Sequence, residues 1–228
     1  VGGATRTPLV VVLGLVVLAA FVALERRSDG AFLDLRLFRN RVFSGACVAT
    51  ALASAAYFGV LVYLSLFLQT TQDFTAAETG LLYLPTILPY MAVSPVAGRL
   101  ADRFPGPVVP AVGCAVLALG MVLLAGVQHG AGMLDVTPAL VVMGAGSGPV
   151  LTPLTKAGLD QVGSGRSGMA SGVLQTVRPL GVTAGVTLLG VPVADAVDAT
   201  AFRSVALLAA SLAAAAAVAS AGLLRRPR

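Results

Sequence analysis

Long, continuously apolar runs alternate along this chain with short polar breaks. The runs lie near residues 8–24, 43–69, 79–98, 107–127, 136–156, 168–190 and 203–224. A helix needs about 20 predominantly apolar residues to cross the hydrocarbon core of a bilayer, and all seven runs reach that range. Strands of a membrane barrel alternate apolar and polar positions, which these runs do not. Helices also satisfy their own backbone groups in lipid. The pattern therefore predicts an all-α polytopic membrane protein with seven transmembrane helices.

Composition agrees, with 57% hydrophobic and 11% charged residues, against about 25% charged in a soluble domain. The formal charge of +5 does not mark a nucleic-acid partner, because the basic residues form no patch on an aromatic-bearing soluble module. They follow the loops instead. Arg26, Arg27, Arg36, Arg39 and Arg41 lie between the first two runs, Arg99 and Arg103 after the third, and Lys156 and Arg166 after the fifth. Arg225, Arg226 and Arg228 form the tail, while the opposite side holds only Arg6 and Arg203. That alternation is what the positive-inside rule asks of seven successive spans. It predicts a multi-pass protein of a bacterial plasma membrane with its C-terminus in the cytoplasm. The first run has Arg6 before it and Glu25, Arg26 and Arg27 behind, the reverse of a secretory signal. It reads as a retained helix of a chain that is part of something longer.

Reactive groups are scarce. Cys47 and Cys114 sit inside apolar runs, and His129 is the one histidine, in a short loop. No metal-ligand spacing, G-x-S-x-G or H-E-x-x-H occurs, and no Asp or Glu lies in the middle of a span. Neither an enzyme nor a bound cofactor is expected, and a carboxylate proton relay cannot be assembled from these residues alone. The Gly144–Gly148 stretch GAGSG mimics a nucleotide loop, but lies mid-span without a Walker lysine.

Polar residues are unevenly shared among the spans. Thr50, Ser54, Tyr57, Ser65 and Gln69 fall on one broad face of the second. Gly144, Ser147, Gly148 and Thr155 do so in the fifth, with Thr152 at the edge, and Ser171, Gln175 and Arg178 in the sixth. Such residues serve helix–helix packing or line a polar path, and periodicity alone leaves both open. Gly144/Gly148, Gly168/Gly172 and Gly181/Gly185 are small-xxx-small pairs that packing explains. Arg178 is different, since a charge this deep costs roughly 2.5 kcal/mol or more and should face a partner or a cavity. Spans 107–127 and 203–224 hold almost nothing polar and read as peripheral, lipid-facing helices. Pro85, Pro89, Pro95, Pro149 and Pro153 are expected to bend their helices.

The segment GRLADRF, from Gly98 to Phe104, resembles the G-x-L-a-D-r-x-G-r-k loop of the major facilitator superfamily. Gly98, Leu100, Asp102 and Arg103 match, whereas the following PGPVV shifts Gly106 and lacks the trailing basic residues. FVALERRSDGAFLDLRLFRNRVFSG, FLQTTQDFTAAETGLLYLP and GAGSGPVLTPLTKAGLDQV with GMASGVLQTVRPLGVTAGVTLLG are similar to successive pieces of its fourteen-helix drug:proton antiporter branch. The resemblance implies a central linker helix and cytoplasmic connector in residues 1–41. It implies a six-helix transporter half in 42–228, built as a 3+3 inverted repeat. In such a half the first and fourth helices line the path and the third and sixth face lipid. The implied function is proton-coupled export of drugs or other small amphipathic molecules by alternating access. The implied partners are the bilayer, protons, the small-molecule substrate and an N-terminal half outside this chain. Candidate path residues are Thr50, Ser54, Tyr57, Ser147, Thr155, Gln175 and Arg178. Gly98, Asp102 and Arg103 form a candidate conformational latch, in which Gly98 lets helix ends approach and Asp102 pairs with a nearby arginine or a helix N-terminus. A carrier of a sugar or metabolite and a homo-oligomeric channel are alternatives, with Tyr57, Tyr90, Met91 and Met143 favouring a lipophilic substrate.

Overall fold

The computed structural model describes residues 35–104, 106–127, 132–160, 162, 167–194 and 197–223. The chain divides into two units, 1–39 and 40–228. In the first, Leu35–Arg39 forms a 3-10 turn, and the expected span 8–24 lies outside the described residues. The second unit is a bundle of α1 (Arg41–Thr71), α2 (Ala76–Leu82), α3 (Leu84–Arg103), α4 (Val108–Leu124), α5 (Met133–Leu159), α6 (Ser167–Leu189) and α7 (Ala199–Leu223). No strand occurs among the described residues. Five stretches are long and apolar enough to cross a membrane, with α2 and α3 counted together as Ala76–Arg103. The 17-residue α4 is the sixth, at the short end of the roughly 17–25 residues that span.

Local chemistry sets the helix ends. Asn40 caps α1 by accepting from the backbone N–H of Val42 at 2.9 Å. Thr75 and Glu78 form a reciprocal capping box on α2, satisfying donors that a helix start leaves orphaned. The third expected span is interrupted at Tyr83, where Pro85 begins a new first turn, a position proline favours. The Tyr83 hydroxyl donates to the Leu61 carbonyl of α1 at 2.8 Å, which ties the break to the neighbouring helix. Pro89, Pro95, Pro149 and Pro153 lie inside helices that continue through them.

The two longest helices, α1 and α5, meet at the centre. α1 packs mainly on α6 and α7, α5 mainly on α3 and α4, and α4 on α7. This neighbour map is unchanged when the first three spans are exchanged with the last three, which is the signature of the expected inverted repeat. Half of the apolar stretch of α1 and of α5 is buried, against 17% for Ala76–Arg103 and for Ser167–Val193.

Lipid tails are as apolar as leucine, so helices associate through close packing of small residues rather than through expulsion of water. A methyl on Gly144 would overlap the Thr86 carbonyl of α3, and one on Gly146 the backbone of Leu117 in α4. Methyls on Gly181 and Gly185 would overlap the carbonyls of Ala51 and Ala55 in α1. Two of the expected glycine pairs therefore act at interfaces. The third does not, because added methyls on Gly168 and Gly172 would meet nothing within 4 Å. Between α1 and α7 the contact is alanine-rich and closed by stacked Phe67 and Phe202 rings, 4.7 Å apart.

The expectation of peripheral α4 and α7 needs refinement. Each buries one side, with Leu117, Met121 and Leu124 of α4 and Phe202, Val205 and Ala209 of α7 fully enclosed. Only their outer strips, such as Val112, Leu119 and Val122 on α4, have the character of a lipid face. The most open helices are α3 and α6, and these carry the site described next.

Candidate functional site

The expected polar residues gather in two places. Ser54 and Tyr57 of α1 meet Ser147 of α5 around a cavity of about 10 Å³, closed otherwise by apolar groups including Leu117. Ser147 is 3% exposed and donates its hydroxyl to the Gly144 carbonyl at 2.8 Å. Ser54, one turn beyond Thr50, is 1% exposed, and neither hydroxyl has a hydrogen-bond partner. Thr50 borders neither this cavity nor the larger cleft. The outer polar residues of the α1 stripe satisfy each other, Gln69 donating to Ser65 at 2.8 Å.

The second place is an open cleft of about 470 Å³, bounded by Tyr90 of α3, Thr152, Thr155 and Lys156 of α5, Asp160 at its end, and Arg178 of α6. Ser94 and Thr152 share a hydroxyl contact of 3.2 Å across α3 and α5. Thr155 donates to the Leu151 carbonyl at 2.9 Å. Gln175 is exposed on α6 and borders neither place. Leu151 lines both cavity and cleft. Phe58 lines the cavity on one side and receives the Arg178 guanidinium over its ring at 5.4 Å on the other. Together Leu151 and Phe58 form the wall between them.

Arg178 is the middle residue of α6 and is partly exposed. Helical side chains lean toward the helix N-terminus, which carries its guanidinium toward the end of the bundle where Lys156 and Asp160 lie. The charge is thus held at the edge of a cleft rather than in lipid, in keeping with the rule that intramembrane ions face a cavity.

The latch segment differs from its expected form. α3 continues to Arg103, so Gly98, Asp102 and Arg103 occupy the last turns of a helix, not a loop. A methyl on Gly98 would meet nothing within 4 Å, so this glycine serves no close approach within the described bundle. Asp102 pairs with Lys156 of α5, and not with an arginine or a helix N-terminus. Both side chains are about half exposed, 60% and 47%, and exposed pairs of this kind contribute little net stability. Arg103 is exposed on the same turn. The turn itself is made by Gly106 at φ 121°, a left-handed conformation that glycine adopts without strain.

Sequence reasoning missed Lys156, Asp160 and Phe58 as site residues. Thr152, Thr155, Lys156 and Leu159 follow helical spacing of 0, 3, 4 and 7, a signal that one face of α5 continues to its end. Among the described residues no group of three His, Cys, Asp or Glu could hold a metal ion.

The sequence was compared with known proteins. Residues 5–186 match the model of the Major Facilitator Superfamily. The multidrug resistance protein Stp of Mycobacterium tuberculosis is 35% identical over 182 residues, covering 80% of this chain and 34% of that protein. The drug efflux pump JefA of the same organism is 32% identical over 181 residues, covering 78% and 35%. The puromycin resistance protein pur8 of Streptomyces alboniger is 29% identical over 189 residues, covering 80% and 38%. The chain spans about a third of the length of the relatives it matches. With a match over most of its length and a bundle of membrane-spanning helices, this chain belongs to the major facilitator superfamily, a family of membrane transporters and not of enzymes.

Proposed function

We propose that residues 42–228 are the C-terminal six-helix half of an exporter, that residues 1–41 link it to a preceding half, and that export of small amphipathic molecules is driven by proton entry. The observation that carries this reading is the open cleft. Its polar groups come from α3, α5 and α6, and its mouth lies between the two least buried spans, where a second half-bundle would complete it. Relatives named for drug resistance and efflux support the substrate class.

In this reading the halves rock about the cleft, as in alternating access. Tyr90, Thr152 and Thr155 offer hydrogen bonds to the cargo and Arg178 offers charge. Ser54, Tyr57 and Ser147 lie behind the Phe58–Leu151 wall, while Thr50 and Gln175 stand off both the cavity and the cleft. The Asp102–Lys156 pair, flanked by Gly98 and Arg103, ties α3 to α5 at the end that the charge pattern assigns to the cytoplasm, along with the C-terminus. The proton-carrying carboxylates belong to the part outside these residues, because no span here has one at mid-depth.

The test compares the complete transporter with residues 1–228 alone in bacteria lacking efflux pumps, reading ethidium accumulation. The complete protein should lower accumulation, the chain alone should not, and an uncoupler should abolish the difference. Efflux by the chain alone overturns the half-transporter reading, and efflux insensitive to the proton gradient overturns the coupling.

A further inference from the structure

We infer that the open cleft receives the acid group of an amphipathic anion, such as an aromatic carboxylate, with Arg178 as its counter-cation. This rests on the export reading above and adds to it one class of cargo, beside cations such as ethidium.

Two cations, Arg178 and Lys156, border the cleft with a single carboxylate, Asp160. Lys156 is already paired with Asp102. Among the described residues no carboxylate lies within ion-pair distance of Arg178, and its neighbour is the face of Phe58. A contact with the ring face spends none of the guanidinium's five N–H donors on a conventional acceptor. A cation this deep faces a cavity or a partner; the cleft supplies the cavity, and an anion entering it would be the charged partner that Arg178 lacks among the described residues.

Hydrogen bonding leaves Arg178 as the charged donor of the cleft, since a hydroxyl that has spent its proton can only accept. Thr155 commits its proton to Leu151, and Ser94 and Thr152 engage each other. The acid oxygens of a ligand would complement Arg178, while Leu151 and Leu159 supply an apolar wall for its body. The volume of about 470 Å³ falls within the roughly 300–1,000 Å³ of small-molecule sites. A planar carboxylate matches the fork of a guanidinium, which can bind it through two parallel hydrogen bonds.

The experiment uses the complete transporter in nanodiscs and titrates two fluorescent probes, dansylglycine and dansylglycinamide, which share an apolar body and differ in charge. The wild type should bind the acid about tenfold more tightly, as expected of a charge-assisted contact. Arg178→Gln should abolish that preference by weakening the acid alone, and Arg178→Lys should keep part of it. Equal binding of the two probes by the wild type overturns the proposal without any variant, as does failure to bind either. A preference that survives Arg178→Gln overturns it too. If Arg178 instead pairs with a carboxylate elsewhere in the transporter, Arg178→Gln weakens both probes alike or lowers folded yield, and the proposal falls. The ethidium assay reports separately on export, so loss of one reading does not disguise loss of the other.

Discussion

The Thr86 carbonyl of α3 occupies the space that a methyl on Gly144 of α5 would need. The repeat-related interface, between α1 and α6, has the same backbone-on-backbone contact with the glycines on the other partner, Gly181 and Gly185 against Ala51 and Ala55. Both copies of the repeat thus bring the same pair of spans together through glycine, but the glycine has changed sides.

Gly144→Ala should therefore force α3 and α5 apart and destabilise the bundle by about 1–3 kcal/mol, the usual range for overpacking. Gly98→Ala is the matched control in a helix with open space around it. It should be neutral or gain up to about 1 kcal/mol from helix propensity. Thermal unfolding followed by intrinsic tyrosine signal or by thiol exposure of Cys47 separates the two, and equal losses would show that the close approach at Gly144 carries no weight.

A charge reversal tests the latch. Asp102→Lys alone and Lys156→Asp alone should each impair transport, while the double exchange should restore a large part of it. Ethidium efflux by the complete transporter reads the result. Additive losses in the double variant would show that the two residues act separately.

Two tyrosines bind α1 to its neighbours through carbonyls, Tyr63 to Val186 of α6 at 2.6 Å and Tyr83 to Leu61 at 2.8 Å. Tyr63→Phe should cost about 0.5–1.5 kcal/mol, the net worth of one such bond. The loss should appear as a lower unfolding midpoint, with affinity for transported dye unchanged.

Ser54 carries a buried hydroxyl with no partner, and leaving such a group unsatisfied costs about 1–3 kcal/mol. Ser54→Ala should raise the unfolding midpoint. If Ser54 also borders the moving path, the same variant should alter efflux despite the gain in stability, and a variant that is both less stable and fully active would contradict both statements.

Much of this architecture is legible in the sequence because a bilayer imposes length. The second through seventh apolar runs each correspond to a helix or a helix pair within a few residues. The break at Tyr83 was not legible, since Pro85 reads equally as a bend in one helix or the first turn of another. Gly144/Gly148 and Gly168/Gly172 share one pattern, yet only the first pair meets a neighbour; periodicity gives a face but not what the face meets. Lys156 shows the same limit. In the sequence it counts as a basic loop residue that sets orientation, and its pairing with Asp102 emerges only when α3 and α5 lie side by side. The site was legible as a set of polar stripes, but their division into an enclosed cavity and an open cleft depends on the Phe58–Leu151 wall.

The exchange-invariant neighbour map has a consequence for synthesis. α3, α4 and α5 are consecutive, and α5 packs on both of the others, so this trio can assemble as soon as α5 enters the membrane. α1 is made first of the six spans, yet its main partners are α6 and α7. About a hundred residues separate the end of α1 from the start of α6, a wait of roughly 5–20 s at ordinary elongation rates of about 5–20 residues per second. During that interval the face of α1 that carries Ala51 and Ala55 lacks the α6 glycines that cover it in the folded bundle, and a ribosome stalled before α6 would leave the first of the six spans without its main partners.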